Sequence, residues 1–313
     1  MIGSLSVSSK ALLAFAAERG IKPVGTPPVE LFDAVEPIYA ADSTQITFCR
    51  FDDERGRCWL EASNAGAIFI LPHLAEEAQA YRDALYLPCE IPRFELLRFI
   101  ERFWKEPPWY PPTGRNPDVH ESARLDGDVR VGPFSTIGPD VEIGAGTVIG
   151  SGAHITHSSI GRDCQIGSNS IIGGPGFGYE DDDETKEVVE FPHIGRVRIG
   201  DRVRIGASST VDRAALGETV VEDDCKVDSG VHVGHNVKLC KRCKITAHAM
   251  LGGSVVIGSD TWVGPTASIR DWRIIGCNAL IGIGAVVTKD VPDNATVVGN
   301  PARPIKRTTF RYR

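Results

Sequence analysis

The sequence predicts a mainly β protein, a parallel β-helix preceded by a small N-terminal α/β domain. Three observations predict it. From residue 119 to residue 287 an aliphatic residue returns about every six positions, often followed by Gly. Residues 1–106 lack that period and mix short β-rich runs with amphipathic segments. Between them, residues 107–117 hold five prolines, which exclude a helix interior and disfavour a central strand.

In the first domain, Ser8 or Ser9 can cap a helix whose apolar positions are Leu12, Leu13, Phe15 and Ala16. The runs QITFCRF (45–51) and AGAIFIL (65–71) read as strands. AEEAQAYRDAL (75–85) and PRFELLRFIERFW (92–104) read as helices, the second opening on Pro. Residues 107–117 then read as a stiff linker.

Residues 118–290 form the predicted β-helix. Its inward positions are Val119, Leu125, Val131, Ile137, Ile143, Ile149 and Ile155, then Ile160 after a five-residue step, then Ile166 and Ile172. The series resumes at Ile194, Ile199, Ile205, Val211, Leu216, Val221, Val227, Val233, Leu239, Ile245, Leu251, Ile257, Val263, Ile269, Ile275, Ile281 and Val287. A period of six fits neither an α-helix nor an ordinary strand. Each unit supplies one short strand and one corner, and three units close a triangular coil, so residues about 18 apart stack. Residues 174–193, rich in Gly and acidic residues, interrupt the array as a projecting loop. A loop this long in a compact solenoid is more often functional than idle. Residues 291–313 form a C-terminal tail.

The formal net charge of −7 argues against a nucleic-acid backbone or an anionic membrane as the main partner. No apolar run approaches the roughly 20 residues that span a bilayer. The N-terminal stretch has no basic region ahead of an apolar one, so no signal peptide is read. The eight Cys are scattered, with a single C-x-x-C at Cys240 and Cys243. Reduced thiols in a cytoplasmic protein fit that pattern.

The stretch VHVGHN, residues 231–236, breaks the small-residue habit of the corners. Val233 points inward, Gly234 turns the corner and His235 follows on the outer wall. One coil of 18 residues forward brings Gly253 beside His235, and one coil back brings Gly217. That pairing suits acyl transfer: an imidazole can take the proton of an attacking amine, and a bare Gly N–H can hold the oxyanion of the tetrahedral intermediate. Asp212 or Asp228, at corner positions, could orient His235. Two other readings stay open. One is a zinc enzyme resembling the gamma-type carbonic anhydrases, with His232, His235 and His248 as ligands. The other is a scaffold without catalysis. His154 and His157 read as surface residues on early coils, far from this cleft.

The motifs GGPGFGY (173–179), IGRVRIGDRVRIGASSTVDRAALGETVV and KVDSGVHVGHNV resemble the UDP-3-O-(3-hydroxyacyl)glucosamine N-acyltransferases of lipid A synthesis. The resemblance is dense over residues 160–260 and weaker before. It implies a left-handed β-helix, a homotrimer, His235 as general base and Gly253 as oxyanion donor. It implies a first domain that binds uridine, with Phe48 of Ile46-Thr47-Phe48 stacking on the base. It also implies substrate contacts from Gly176, Phe177, Gly178, Tyr179 and Asn236, no metal and no resident cofactor. The chain departs from that family in three places. Phe51 stands where the family has Asn, the segment SIRDWRI lacks the family's second His, and the end GIGAVVTKDVPDNATVVGNPARPIKR replaces a helical extension. That end is similar to the coenzyme A-dependent sugar acetyltransferases and implies donor contacts from Asn300 and Arg303. The expected reaction is N-acylation of a nucleotide-linked amino sugar from a thioester in cell-surface glycan or lipopolysaccharide synthesis. Acyl-CoA is the favoured donor, and the alternative is the lipid A reaction itself with acyl carrier protein.

Overall fold

The structure is a computed structural model that describes residues 5–104, 116–182 and 184–306. Most of the Pro-rich stretch 107–117, read as a linker, lies outside the described residues, as does the end of the tail. The chain divides into two compact units, one within residues 1–111 and one within 112–311.

The first unit is built on a four-stranded parallel sheet in chain order: Ala34–Val35, Gln45–Phe48, Ala67–Ile70 and Leu85–Pro88. Both faces are covered, so Ala67–Ile70 is buried at every position. On one face Phe69 meets Phe15 of helix Ser9–Glu18 and Phe99 of helix Pro92–Phe103. On the other, Ile68 and Ile70 pack with Leu60, Ala78 and Tyr86. Ser8 caps the first helix by accepting from the Ala11 N–H at 3.2 Å. The helix expected over 75–85 ends at Tyr81, because Arg82 is extended and Leu85 opens the next strand. Burying Leu85, Tyr86 and Leu87 in the sheet outweighs the helical pattern of the segment.

The second unit is a stack of parallel strands on three faces. On the first face Ile137, Ile155, Ile172, Val211, Val233, Leu251, Ile269 and Val287 lie rung above rung, and all are buried. Corner residues recur in the left-handed backbone region, Asn236 among them at φ 60°, a region that Asn and Asp tolerate best after Gly. The structure corrects the inward series in three places. Ile194 is 73% exposed and Leu216 60% exposed, while the ladder passes directly from Ile160 to Ile199 and from Val197–Ile199 to Thr219–Val221. Both lie in inserted chain. The coil that contains Leu216 is longer than the regular 18 residues, so Thr210 pairs with His232, 22 positions on. Val119, also expected inward, is exposed on the first coil, which has no rung beneath it among the described residues.

The segment 174–193 is partly ordered as a hairpin, Tyr179–Asp181 against Val188–Glu190. At the other end the stack runs past residue 290. Thr296–Val298 pairs with Leu280–Ile281, and Arg303–Ile305 folds back antiparallel over it. Pairing in this way covers the last open edge of the third face.

Candidate active site

His235 stands where the regular coil count places it. Strand His232–Val233 pairs with Met250–Leu251, which carries Gly253 to the side of His235. A Cβ on Gly253 would lie 2.6 Å from His235 Nε2 and 2.7 Å from Cε1. The imidazole therefore lies against a backbone that has to be bare. Among the described residues, none accepts a hydrogen bond from the Gly253 N–H.

Asn236 orients the ring. Its Oδ1 lies 3.1 Å from His235 Nδ1 and also accepts from the Ala215 N–H at 3.0 Å. Its Nδ2 donates to the Leu216 carbonyl at 2.9 Å. An amide oxygen only accepts, so His235 Nδ1 carries the hydrogen and Nε2 keeps a lone pair. That lone pair is on the Gly253 side. The side chain of Asn236 is thus used within the fold to hold the extra chain of the long coil.

Gly217 does not lie beside His235. The long coil puts Arg213 at the equivalent place, and Gly217 has open space around it. The glycine on that side is instead Gly176, from the inserted segment. A Cβ there would lie 3.0 Å from His235 Cβ and Cδ2, and 2.9 Å from Nε2 of His193. His193 is a residue the sequence reading missed. It is 4% exposed, its ring meets that of His235 edge to face at 5.0 Å, and its Nδ1 donates to the Phe191 carbonyl at 3.0 Å. Gly178 also packs on it, with Cε1 at 2.8 Å from where a Cβ would be. The two glycines of GFG thus make room for a histidine. The only signal in sequence is a His one step before the repeat resumes. Phe177 and Tyr179 pair with each other at 4.8 Å and face outward, Phe177 83% exposed.

Asp212 lies in the same cluster. Its side chain is 16% exposed and its Oδ2 is 3.7 Å from His232 Nε2. Burial pushes its carboxyl above the usual range, and His232, His235 and His193 act in the opposite sense. Thr210 Oγ1 holds His232 Nδ1 at 2.7 Å. Asp228 is exposed and accepts from Ser229 next door, so it takes no part. His157 is on the surface as expected but not remote. Arg213 Nη1 donates to its Nδ1 at 3.1 Å, and Arg213 Nε donates to the His193 carbonyl at 2.7 Å. Burial and Arg213 hold His157 below its usual range.

The remaining expected residues lie elsewhere. Phe48 is half-buried in the first unit, packed on the core that holds Leu12 and Phe69. Asn300 and Arg303 are exposed at the far end of the stack. The Ala302 N–H donates to the Val286 carbonyl, which ties that turn to the same face as His235. Three strand spacings separate the rung of His232 from that of Val286, or about 14 Å. His248 sits at a different corner, against Gly230, and no group of three or more His, Cys, Asp or Glu among the described residues could hold a metal ion.

Models of the bacterial transferase hexapeptide (six repeats) match residues 122–157 and 218–253, and the hexapeptide repeat of succinyl-transferase matches 158–175 and 196–235. The second unit is a hexapeptide-repeat β-helix. Over 174 residues, 56% of the chain, it is 39% identical to 44% of a UDP-3-O-acylglucosamine N-acyltransferase of Caulobacter sp. (strain K31). Over 133 residues, 42% of the chain, it is 40% identical to 43% of a probable mitochondrial UDP-3-O-acylglucosamine N-acyltransferase 2 of Arabidopsis thaliana. The chain thus spans less than half the length of these curated relatives. Among solved structures, 60% of the chain superposes on 72% of a UDP-N-acetylglucosamine acyltransferase from Bacteroides fragilis, with TM-score 0.55 and 23% identity. It superposes equally on 68% of that from Francisella novicida, with TM-score 0.52 and 27% identity. These likenesses bear out the family resemblance and the left-handed β-helix. Among the described residues no helix is long and apolar enough to cross a membrane.

Proposed function

We propose that this hexapeptide-repeat protein is an N-acyltransferase that moves an acyl group from a thioester to the amine of a nucleotide-linked amino sugar. The observation that carries the reading is His235 Nε2, left with a lone pair by Asn236 and set against the bare backbone of Gly253. The free amine attacks the thioester carbonyl, and the N–C bond forms as His235 takes the amine proton. The Gly253 N–H holds the oxyanion. Collapse of the intermediate breaks the C–S bond, and the thiolate leaves with the proton from His235.

The similarity to UDP-3-O-acylglucosamine N-acyltransferases favours UDP-3-O-acylglucosamine as the acceptor, and with it the lipid A reading and an acyl carrier protein donor. In this reading the chain works as a homotrimer, Phe48 stacks on the uracil, and Phe177 and Tyr179 flank the acceptor. The turn with Asn300 and Arg303 supports a second donor reading, acyl-CoA, because it sits on the same face of the stack as His235. The test is an assay of the full chain with UDP-3-O-acylglucosamine and matched carrier-protein and CoA thioesters, followed by mass spectrometry of the amide. Amide from the carrier-protein thioester alone is expected. Amide from CoA alone moves the donor to the second reading, and no amide from either overturns the proposal.

A further inference from the structure

His235 leans along the stack toward the next coil. Its Nε2 lies 2.6 Å from the place of a Cβ on Gly253. The coil after Gly253 is regular too: Met250–Leu251 pairs with Ser268–Ile269, and the Trp272 N–H donates to the Gly253 carbonyl at 2.9 Å. Asp271 therefore stands in the column of His235 and Gly253, one coil beyond the glycine. Its Cβ lies one strand spacing, about 4.8 Å, from the place of that Gly253 Cβ. His235 Nε2 and the Asp271 carboxylate thus flank Gly253 from its two sides, near enough for one nitrogen to hydrogen-bond to both. Asp271 is exposed, so the carboxylate is open to a ligand. The other charged groups around it are all cationic. Arg270 Nε is 3.4 Å from Oδ1, Arg273 Nε donates to the Asp271 carbonyl at 3.3 Å, and Lys289 follows Val287 on the next rung. Arg273 is itself paired with Asp290 at 3.3 Å. The Arg270 pair is exposed on both sides and holds the carboxylate only weakly.

Building on the acyl-transfer reading above, we infer that Asp271 receives the acceptor's amine as an ammonium ion and holds it against His235. An amine of ordinary pKa carries a proton at neutral pH, so the acceptor arrives with three hydrogens and a positive charge. Asp271 accepts a hydrogen bond from one hydrogen and His235 Nε2 from a second. The third faces the open groove and leaves to water as a proton, which bares the nitrogen lone pair. His235 then takes its hydrogen as the N–C bond forms, and the hydrogen held by Asp271 stays on the amide nitrogen. Arg270 beside the carboxylate limits how far it raises the pKa of the amine, so the third proton still leaves. A hydroxyl brings no charge and a single hydrogen that His235 must take, so the acidic wall favours an amine over an alcohol.

Calorimetry of the full chain, without donor, tests this by comparing UDP-3-O-acylglucosamine with the same nucleotide sugar carrying a hydroxyl in place of the amine. The wild type should bind the amine about three- to tenfold more tightly at pH 7, between the strength of an exposed ion pair and that of a charged hydrogen bond. That preference should fade toward pH 9 as the amine loses its charge. Asp271→Asn keeps the shape and an accepting oxygen but not the charge. It should lose the preference at every pH and raise KM for the acceptor by the same factor, with kcat nearly unchanged and the circular dichroism spectrum intact. Asp271→Glu should restore part of the preference. An Asn variant that keeps the wild-type preference, or a wild type that binds amine and hydroxyl alike, overturns the inference. Amide formation by the same wild-type preparation tells the two ideas apart. If amide forms while either of those results is found, only this inference falls; if no amide forms, the acyl-transfer reading falls and takes this one with it.

Discussion

The side-chain amide of Asn236 hydrogen-bonds to His235 Nδ1, the Ala215 N–H and the Leu216 carbonyl. Its left-handed backbone means that Gly is the substitution that removes the amide without strain. Asn236→Gly should lower kcat about tenfold or more, and should destabilise the fold by about 1–3 kcal/mol through the lost hydrogen bonds. Urea melts and steady-state kinetics of the same preparation check both. Asp212 behaves in the opposite way. Burial raises its folded-state pKa above the usual carboxylate value, so the native chain binds that proton more tightly than the unfolded one. Its contribution is most favourable below the usual carboxylate pKa and is lost as pH rises toward the raised value. At neutral pH the ionised group therefore costs stability. Asp212→Asn should raise the thermal midpoint at pH 7 to 8 and lose that gain near pH 3, while catalysis slows. A midpoint lowered equally at every pH would contradict this. At this scale the sequence was legible for His235 and Gly253, because the coil between them is regular. His193 was not legible, because its partner Gly176 lies in chain with no period.

At the scale of elements, the inserted segment and the long coil together complete the site. Gly176 comes from the first, and the Ala215 and Leu216 groups held by Asn236 come from the second. Leu216 and Ile194 misled the inward series for one reason: an aliphatic residue at a plausible spacing cannot be told from a rung when an insertion adds a few residues. The same framing error placed Gly217 beside His235. Gly253→Ala tests the corner itself. It keeps the backbone N–H but puts a methyl 2.6 Å from His235 Nε2, so the ring must move. Turnover should fall about a hundredfold with the fold intact by circular dichroism. In the first unit, Phe48→Ala should raise KM for the nucleotide sugar at least about fivefold, the lower end of the roughly 1–3 kcal/mol of a base–aromatic stack, with little change in kcat. An unchanged KM would leave Phe48 as core packing only.

Across the whole molecule the β-helix is a one-dimensional stack, and each rung leans on its two neighbours. Leu251 lies fully buried between Val233 and Ile269, so Leu251→Ala should cost about 2–5 kcal/mol and be read directly in a urea melt. The six-residue period made this architecture legible, since stacking identical corners leaves a repeating trace. The hairpin in the insertion and the antiparallel closing strand Arg303–Ile305 leave no such trace, because each pairs once and locally. The β-helix is a wall of stacked rungs that carries His235 on its outside, where a substitution does not disturb the core. In the proposed reaction this histidine moves the amine proton. The most direct measurement is the single-turnover rate of amide formation by the full chain and by His235→Ala, across pH, with donor and acceptor saturating. The expected result is a loss of about 10²–10⁴ in rate at an unchanged thermal midpoint, and a pH-dependent limb in the wild type that disappears in the variant. Amide formation by His235→Ala within a few-fold of wild type, with the limb intact, would contradict it.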